Sequence, residues 1–270
     1  MNVYHTIAWR GKEVNGDGRD SLPAMSPFEL AVLGAAVFAT AILSGVLGMA
    51  GGIALLGVLL LTLPPLVAIP VHGVIQLVSN GSRVVVQRHH ARFDWIAWYA
   101  LPLLPAGLVG LSVAKQLPEA LLEGAIGAVV LAATWLPKRG APGAVRARRP
   151  RTRFFALGAV SGFANMLLGA IGPMIDPFFL GLGLGRQALV GTKAACQTLG
   201  HAAKVALFGS AGFAFAEHAP LLALGSLCAI GGTWLGSRLL DRLSEASFLW
   251  LYRTVLTGLA LRLVWTALPA

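Results

Sequence analysis

Apolar runs alternate with short polar breaks along almost the whole chain, at about 28–47, 51–63, 67–87, 95–115 and 120–136, and again at about 154–168, 173–184, 188–209, 218–240 and 246–268. A helix rising 1.5 Å per residue needs roughly 20 residues to cross a hydrocarbon core about 30 Å thick. This pattern predicts an all-α integral membrane protein built from two series of five runs. In both series the second run is too short to span and follows glycine-rich sequence. The expected form is a broken-helix hairpin, with breaks at Gly48, Gly51 and Gly52 and at Gly169, Gly172 and Pro173; two short spans are the alternative. Irregular backbone at membrane depth is tolerated only inside protein or beside a water-filled cavity, so both breaks should face the interior.

The third run of each series carries a polar ladder on an apolar helix: His72, Gln76, Asn80 and Arg83, then Lys193, Gln197, His201 and Lys204. The steps of four, four and three place each set within an arc of roughly 80° at about 100° per residue. Aligning the glycine breaks aligns the ladders without a gap, and Leu117, Pro118, Glu119 and Ala120 then match Leu243, Ser244, Glu245 and Ala246 after a small shift. Each copy crosses the membrane an odd number of times, three spans plus the hairpin or five spans, so the second copy is inverted. The organisation is a polar lead, expected to be disordered, at 1–27, transmembrane repeats at 28–136 and 154–270, and a basic linker at 137–153.

Composition agrees with that class: 56% hydrophobic residues, 12% charged residues and a mean hydropathy of +0.74 leave little room for a soluble domain. The net charge of +10 does not point to nucleic acid, because Arg and Lys concentrate between apolar runs. Lys138, Arg139, Arg146, Arg148, Arg149, Arg151 and Arg153 fall in the linker without an acid among them. By the positive-inside rule this loop is cytoplasmic together with Arg88, Arg92, Arg186, Arg238 and Arg242, which leaves both termini outside. The first 27 residues lack the apolar core of a secretory signal, and Met25, directly before Ser26 and Pro27, is a candidate translation start.

The chemistry-bearing residues suit an anion. Two half-helix N-termini near the midplane would offer partial positive charge and free N–H groups at Gly51, Gly52 and Gly172, with Pro173, which has no N–H, suited to the first position of the second half-helix. Gln76, Asn80, Gln197 and His201 fall nearest mid-span and can donate hydrogen bonds to sulfonate, sulfite or carboxylate oxygens. They are the expected substrate contacts, with Lys193 beside them. His72, Arg83 and Lys204 are assigned to gating or anion guidance, with the charged rungs near the membrane faces, where long cations snorkel. Asp176 is an isolated acid that suits proton coupling, helix capping or pairing with Lys193 or His201. Cys196 and Cys228 have no redox or metal spacing, His89 and His90 read as interfacial, and Trp95, Trp98, Trp135, Trp250 and Trp265 as an aromatic belt. No cofactor, metal, nucleotide or hydrolase motif is present.

The paired glycine breaks, the polar helices after them, and Phe93-Asp94-Trp95 followed by a Pro- and Gly-rich span together resemble the sulfite exporter TauE/SafE (TSUP) family over about residues 28–268. The second break departs from the family pattern, with Gly172-Pro173 in place of a longer glycine run and Asp176 in place of an apolar residue. The resemblance implies a secondary carrier of the bacterial inner membrane for sulfite, sulfonates or related organic anions, with proton or sodium coupling open. Two other readings stand beside the carrier: an intramembrane enzyme using His72 and His201 with the neighbouring Lys and Gln, and a non-transporting membrane subunit.

Overall fold

The computed structural model describes residues 25–47, 50–135, 149–179, 182–239 and 245–267, and within these everything regular is helical. In order come α1 (Pro27–Leu47), α2 (Ala50–Leu59), α3 (Pro65–Gln87), α4 (Phe93–Gln116), α5 (Glu119–Trp135), α6 (Pro150–Leu168), α7 (Gly172–Phe179), α8 (Arg186–Ser210), α9 (Ala219–Leu239) and α10 (Glu245–Thr266). The segments 27–44, 93–116 and 215–236 are long and apolar enough to cross a membrane. The two short elements match expectation: α2 has 10 residues and α7 has 8, about half a span or less. Among the calls that fall outside the described residues are Gly48, most of the basic linker and the lead up to residue 24. The linker's last residues, from Pro150 on, form the first turn of α6.

Local sequence accounts for the ends. Ser26 and Glu29 form a reciprocal capping box: the Glu29 N–H donates to Ser26 Oγ at 3.2 Å and the Ser26 N–H to Glu29 Oε2 at 2.8 Å. Proline opens α3 and α6, where its missing N–H costs nothing. At the other end of α6 the chain turns on Gly169 with φ of +69°, a conformation that a side chain would strain. This is the second predicted break.

At the first predicted break Gly48 lies outside the described residues, and Gly51 and Gly52 lie in the first turn of α2. Gly51 is there for space: a methyl group on it would collide with the backbone of α1 at Thr40 and Ser44. The close approach of α2 to α1 therefore depends on the missing side chain at Gly51.

Helix pairing sets the architecture. α1 lies on α9 and α4 on α6, both in parallel: Phe38 meets Gly232 and Ile42 meets Gly236, while Tyr99 meets Gly158 and Leu103 meets Gly162. α3 lies on α8 in antiparallel fashion, with Gly73 against Lys204 and Val205 at one end and Gln87 against Gly191 at the other. α5 and α10 are also antiparallel, since Gly127 touches Ala260 and Leu263 and Trp135 Nε1 donates to Thr257 Oγ1 at 2.9 Å. The third-run helices are thus central, and each reaches a helix of the other series, α3 to α9 and α8 to α4. The core around α2 and the first half of α3 is apolar, including Ile53, Leu56, Leu59, Ile69 and Val71, while Leu101, Leu108, Val109 and Leu227 are exposed on the outside of their helices. Such an outward apolar surface is what a lipid-facing protein presents.

Candidate polar cavity at the helix breaks

Antiparallel packing of α3 on α8 brings the first rung of one ladder to the last rungs of the other. The rings of His72 and His201 meet edge-on, with centroids 5.4 Å apart. Beside them the breaks contribute Gly52 from α2 and Ala170, Ile171 and Gly172 from the α6–α7 turn, enclosing a cavity of about 20 Å³. That volume accommodates about one water-sized group. Gln76, Asn80, Gln197 and His201 all line it, and so do Gly52, Gly172 and His72.

The polar groups constrain one another. Asn80 Nδ2 donates to both the Gln76 backbone carbonyl and Gln76 Oε1 at 3.0 Å. Because Gln76 Oε1 is thereby used as an acceptor, its amide NH₂ is left on the side of Gly52, where a methyl group would come within 3.3 Å of Nε2. His72 Nε2 lies 2.8 Å from the Gly52 carbonyl oxygen. A carbonyl can only accept, so Nε2 carries the proton, and in the neutral ring Nδ1 carries the lone pair. His72 is 0% exposed, and Nδ1 has no hydrogen-bond partner among the described residues.

Lys204 departs most from expectation. In place of a rung snorkelling toward a membrane face, it is 0% exposed, and its Nζ donates to the Gly169 carbonyl with His201 Nδ1 at 3.5 Å. The reason is the break itself: α6 ends at Gly169 with unsatisfied carbonyls and partial negative charge, which attracts a cation. Gly73 makes room for the lysine stem. Arg83 also turns inward, donating to Ser44 Oγ at 2.7 Å in the last turn of α1. In both series the last rung of the ladder therefore docks on the terminal turn of a broken helix, a placement that outward snorkelling does not describe. Neither cation lines the cavity.

Other predicted residues are dispersed. Lys193 is half-buried, with Nζ 5.8 Å from the centroid of the Phe179 ring, and it does not line the cavity; nor does Gly51. The side chains of Pro173 and Asp176 lie outside the described residues. His89 and His90 are exposed in a short 3-10 turn. The Phe93-Asp94-Trp95 segment clasps its own loop: Arg92 pairs with Asp94 through bonds of 2.9 and 2.8 Å, its guanidinium carbon lies 4.1 Å from the Trp95 ring centroid, and its N–H donates to Thr192 on α8.

Four polar cavity residues were not anticipated: Ser44, Tyr99, Ser161 and Asn165. A signal for two of them was present. Ser44 and Asn165 stand one helical turn before Gly48 and Gly169, so the repeat alignment that matched the breaks also matches these polar residues. Tyr99 reaches in because Gly200 has no side chain; a methyl group there would be 3.2 Å from the tyrosine oxygen and 3.0 Å from Asn165 Nδ2. The resulting wall is rich in amides, hydroxyls and imidazoles that can donate or accept hydrogen bonds. Among the described residues no cluster of His, Cys, Asp and Glu is arranged to hold a metal ion.

The family model described as sulfite exporter TauE/SafE matches residues 32–263. No curated protein and no solved structure matches the chain. Since the match runs from within α1 to the last helix and takes in both breaks and both ladders, the chain belongs to the sulfite exporter TauE/SafE family of membrane transporters.

Proposed function

We infer that this chain is a secondary carrier that moves a small sulfur-containing or organic anion, such as sulfite or an organosulfonate, across the bacterial inner membrane by alternating access. The observation that carries the reading is the polar cavity where Gly52 of α2 and the α6–α7 turn meet amides and imidazoles from α3 and α8. Helix N-termini and neutral N–H donors stabilise an anion without the cost of burying a free cation opposite it. Gln76, Asn80, Gln197, His201, Gly52 and Gly172 are the proposed contacts, with His72 beside them.

The two series form inverted repeats in this reading. Exchanging them maps the α1–α9 pair onto α6–α4, and α3–α9 onto α8–α4, each parallel or antiparallel as its counterpart is. Swaps of this kind leave α3–α8 and α5–α10 unchanged, which supports a pseudo-twofold axis through the cavity. Either half rocking against the other would open the cavity to one side at a time. The loops holding Arg88, Arg92, Arg186 and Arg238 fall on one side, proposed as cytoplasmic, with both termini periplasmic.

Flux of sulfite and methanesulfonate in proteoliposomes tests the assignment. Anion-dependent counterflow that drops at least tenfold in Gln197→Ala is the expected result. A chain that moves neither anion, or a Gln197→Ala variant with unchanged flux, overturns it.

A further inference from the structure

The cavity has a charge requirement of its own, which rests on the anion-carrier reading. We propose that the transported anion occupies the cavity, widened from the water-sized volume of this state by the alternating-access movement, as a hydrogen-oxyanion bearing one O–H that it donates to His72 Nδ1. The class of ligand is thus narrower than small anions in general: an oxyanion with one ionisable proton is accepted in preference to a monoanion of similar shape that has none.

The argument begins with the tautomer. The Gly52 carbonyl fixes the His72 proton on Nε2, so the nitrogen that remains is an acceptor, buried and without a hydrogen-bond partner among the described residues. A buried acceptor left unpaired costs roughly 1–3 kcal/mol, and the group that satisfies it must bring a hydrogen. The other groups around the cavity do not supply one to that nitrogen. The Gln76 NH₂ lies beside Gly52, and the Asn80 NH₂ is engaged with Gln76. A fully deprotonated anion would set lone pair against lone pair at His72.

Charge points the same way. The titratable groups facing His72 are His201 and Lys204 from α8 and Tyr99 from α4; α2 presents the Gly52 carbonyl, α6 presents Asn165, and α7 presents Gly172 and Ile175, its Asp176 side chain lying outside the described residues. Lys204 is committed to the Gly169 carbonyl. From behind the cavity wall, that one side chain can offset a single negative charge in the cavity. A dianion balances only if it arrives with a proton, and that proton settles between the anion oxygen and His72 Nδ1. Either route delivers one proton with each oxyanion and a net charge of one.

The test uses the full chain in detergent, with sulfite, which exists as hydrogensulfite or in fully deprotonated form, and methanesulfonate, which has no proton to give. Expected are at least tenfold tighter binding of sulfite, and uptake of about one proton per sulfite bound in weakly buffered solution where free sulfite is deprotonated. His72→Phe keeps a ring in place but has no nitrogen to accept a proton or a hydrogen bond, so it should abolish proton uptake and collapse the preference. Equal binding of the two anions, sulfite binding without proton uptake, or an unchanged preference in His72→Phe each overturn the proposal and leave the carrier reading standing. Binding of neither anion overturns both. If His72→Phe fails to fold, the two measurements on the unaltered chain decide the matter.

Discussion

Lys204 Nζ donates to the carbonyl oxygen of Gly169, tying the last rung of the second ladder to the turn between α6 and α7. A buried cation is retained at that point by a helix C-terminus, whose carbonyls have no partner within the helix. Replacing it with methionine preserves length and packing but leaves the carbonyl unpaired. Lys204→Met is expected to lower stability by about 1–3 kcal/mol, read as a reduced melting temperature in detergent. Anion flux should fall at least tenfold, because the cavity loses its nearest positive charge. Undiminished flux would remove Lys204 from the site.

The Asn80–Gln76 bond determines which end of the Gln76 side chain faces the cavity. Gln76→Glu keeps the acceptor for Asn80 but places a carboxylate where an NH₂ stood. Repulsion of a second anion at close range should reduce flux at least a hundredfold, about 2.7 kcal/mol or more. Flux assays on reconstituted Gln76→Glu check this, with melting temperature as the control for folding.

Ser79 and Thr233 share a buried hydrogen bond of 3.1 Å between α3 and α9. Hydrogen bonds between membrane helices average only about 0.6 kcal/mol by double-mutant cycle. A cycle over Ser79→Ala and Thr233→Val should return a coupling of that size, measured by unfolding in mixed micelles. A coupling above about 2 kcal/mol would show that this contact is a principal fastening of α9.

At Gly162 an added methyl group would strike the carbonyl of Leu103 and lie 3.1 Å from the Gly107 nitrogen, both backbone atoms of α4. Gly162→Val should therefore force α4 and α6 apart and destabilise by about 1–3 kcal/mol. Gly81, on α3, has nothing within 4 Å of the same added atom. Gly81→Ala should be neutral or stabilising by up to about 1 kcal/mol, since alanine is the better helix former. Thermal unfolding of the two variants side by side checks the contrast.

Much of the fold was legible because membrane helices are written one at a time. Apolar length gave the long helices, the short runs gave α2 and α7, and proline and glycine marked their ends. The mid-span rungs Gln76, Asn80, Gln197 and His201 were legible for a related reason: a polar residue mid-span is costly toward lipid, so it turns inward. The charged rungs were not, since a lysine near a helix end is equally compatible with a membrane face and with the interior. Ser44 and Asn165 escaped notice because small polar residues are common in apolar helices, and only their position before each break marks them.

The sequence by itself therefore determined the helices, the break at Gly169 and the polar faces, all of which follow from local length, glycine placement and 3.6-residue periodicity. Tertiary structure decided what those faces meet. Antiparallel packing of α3 on α8 joined His72 to His201, and the orphan carbonyl at Gly169 drew Lys204 inward. Neither could be read from spacing, because each depends on groups far apart in the chain whose unmet hydrogen bonds have no other partner in an apolar interior.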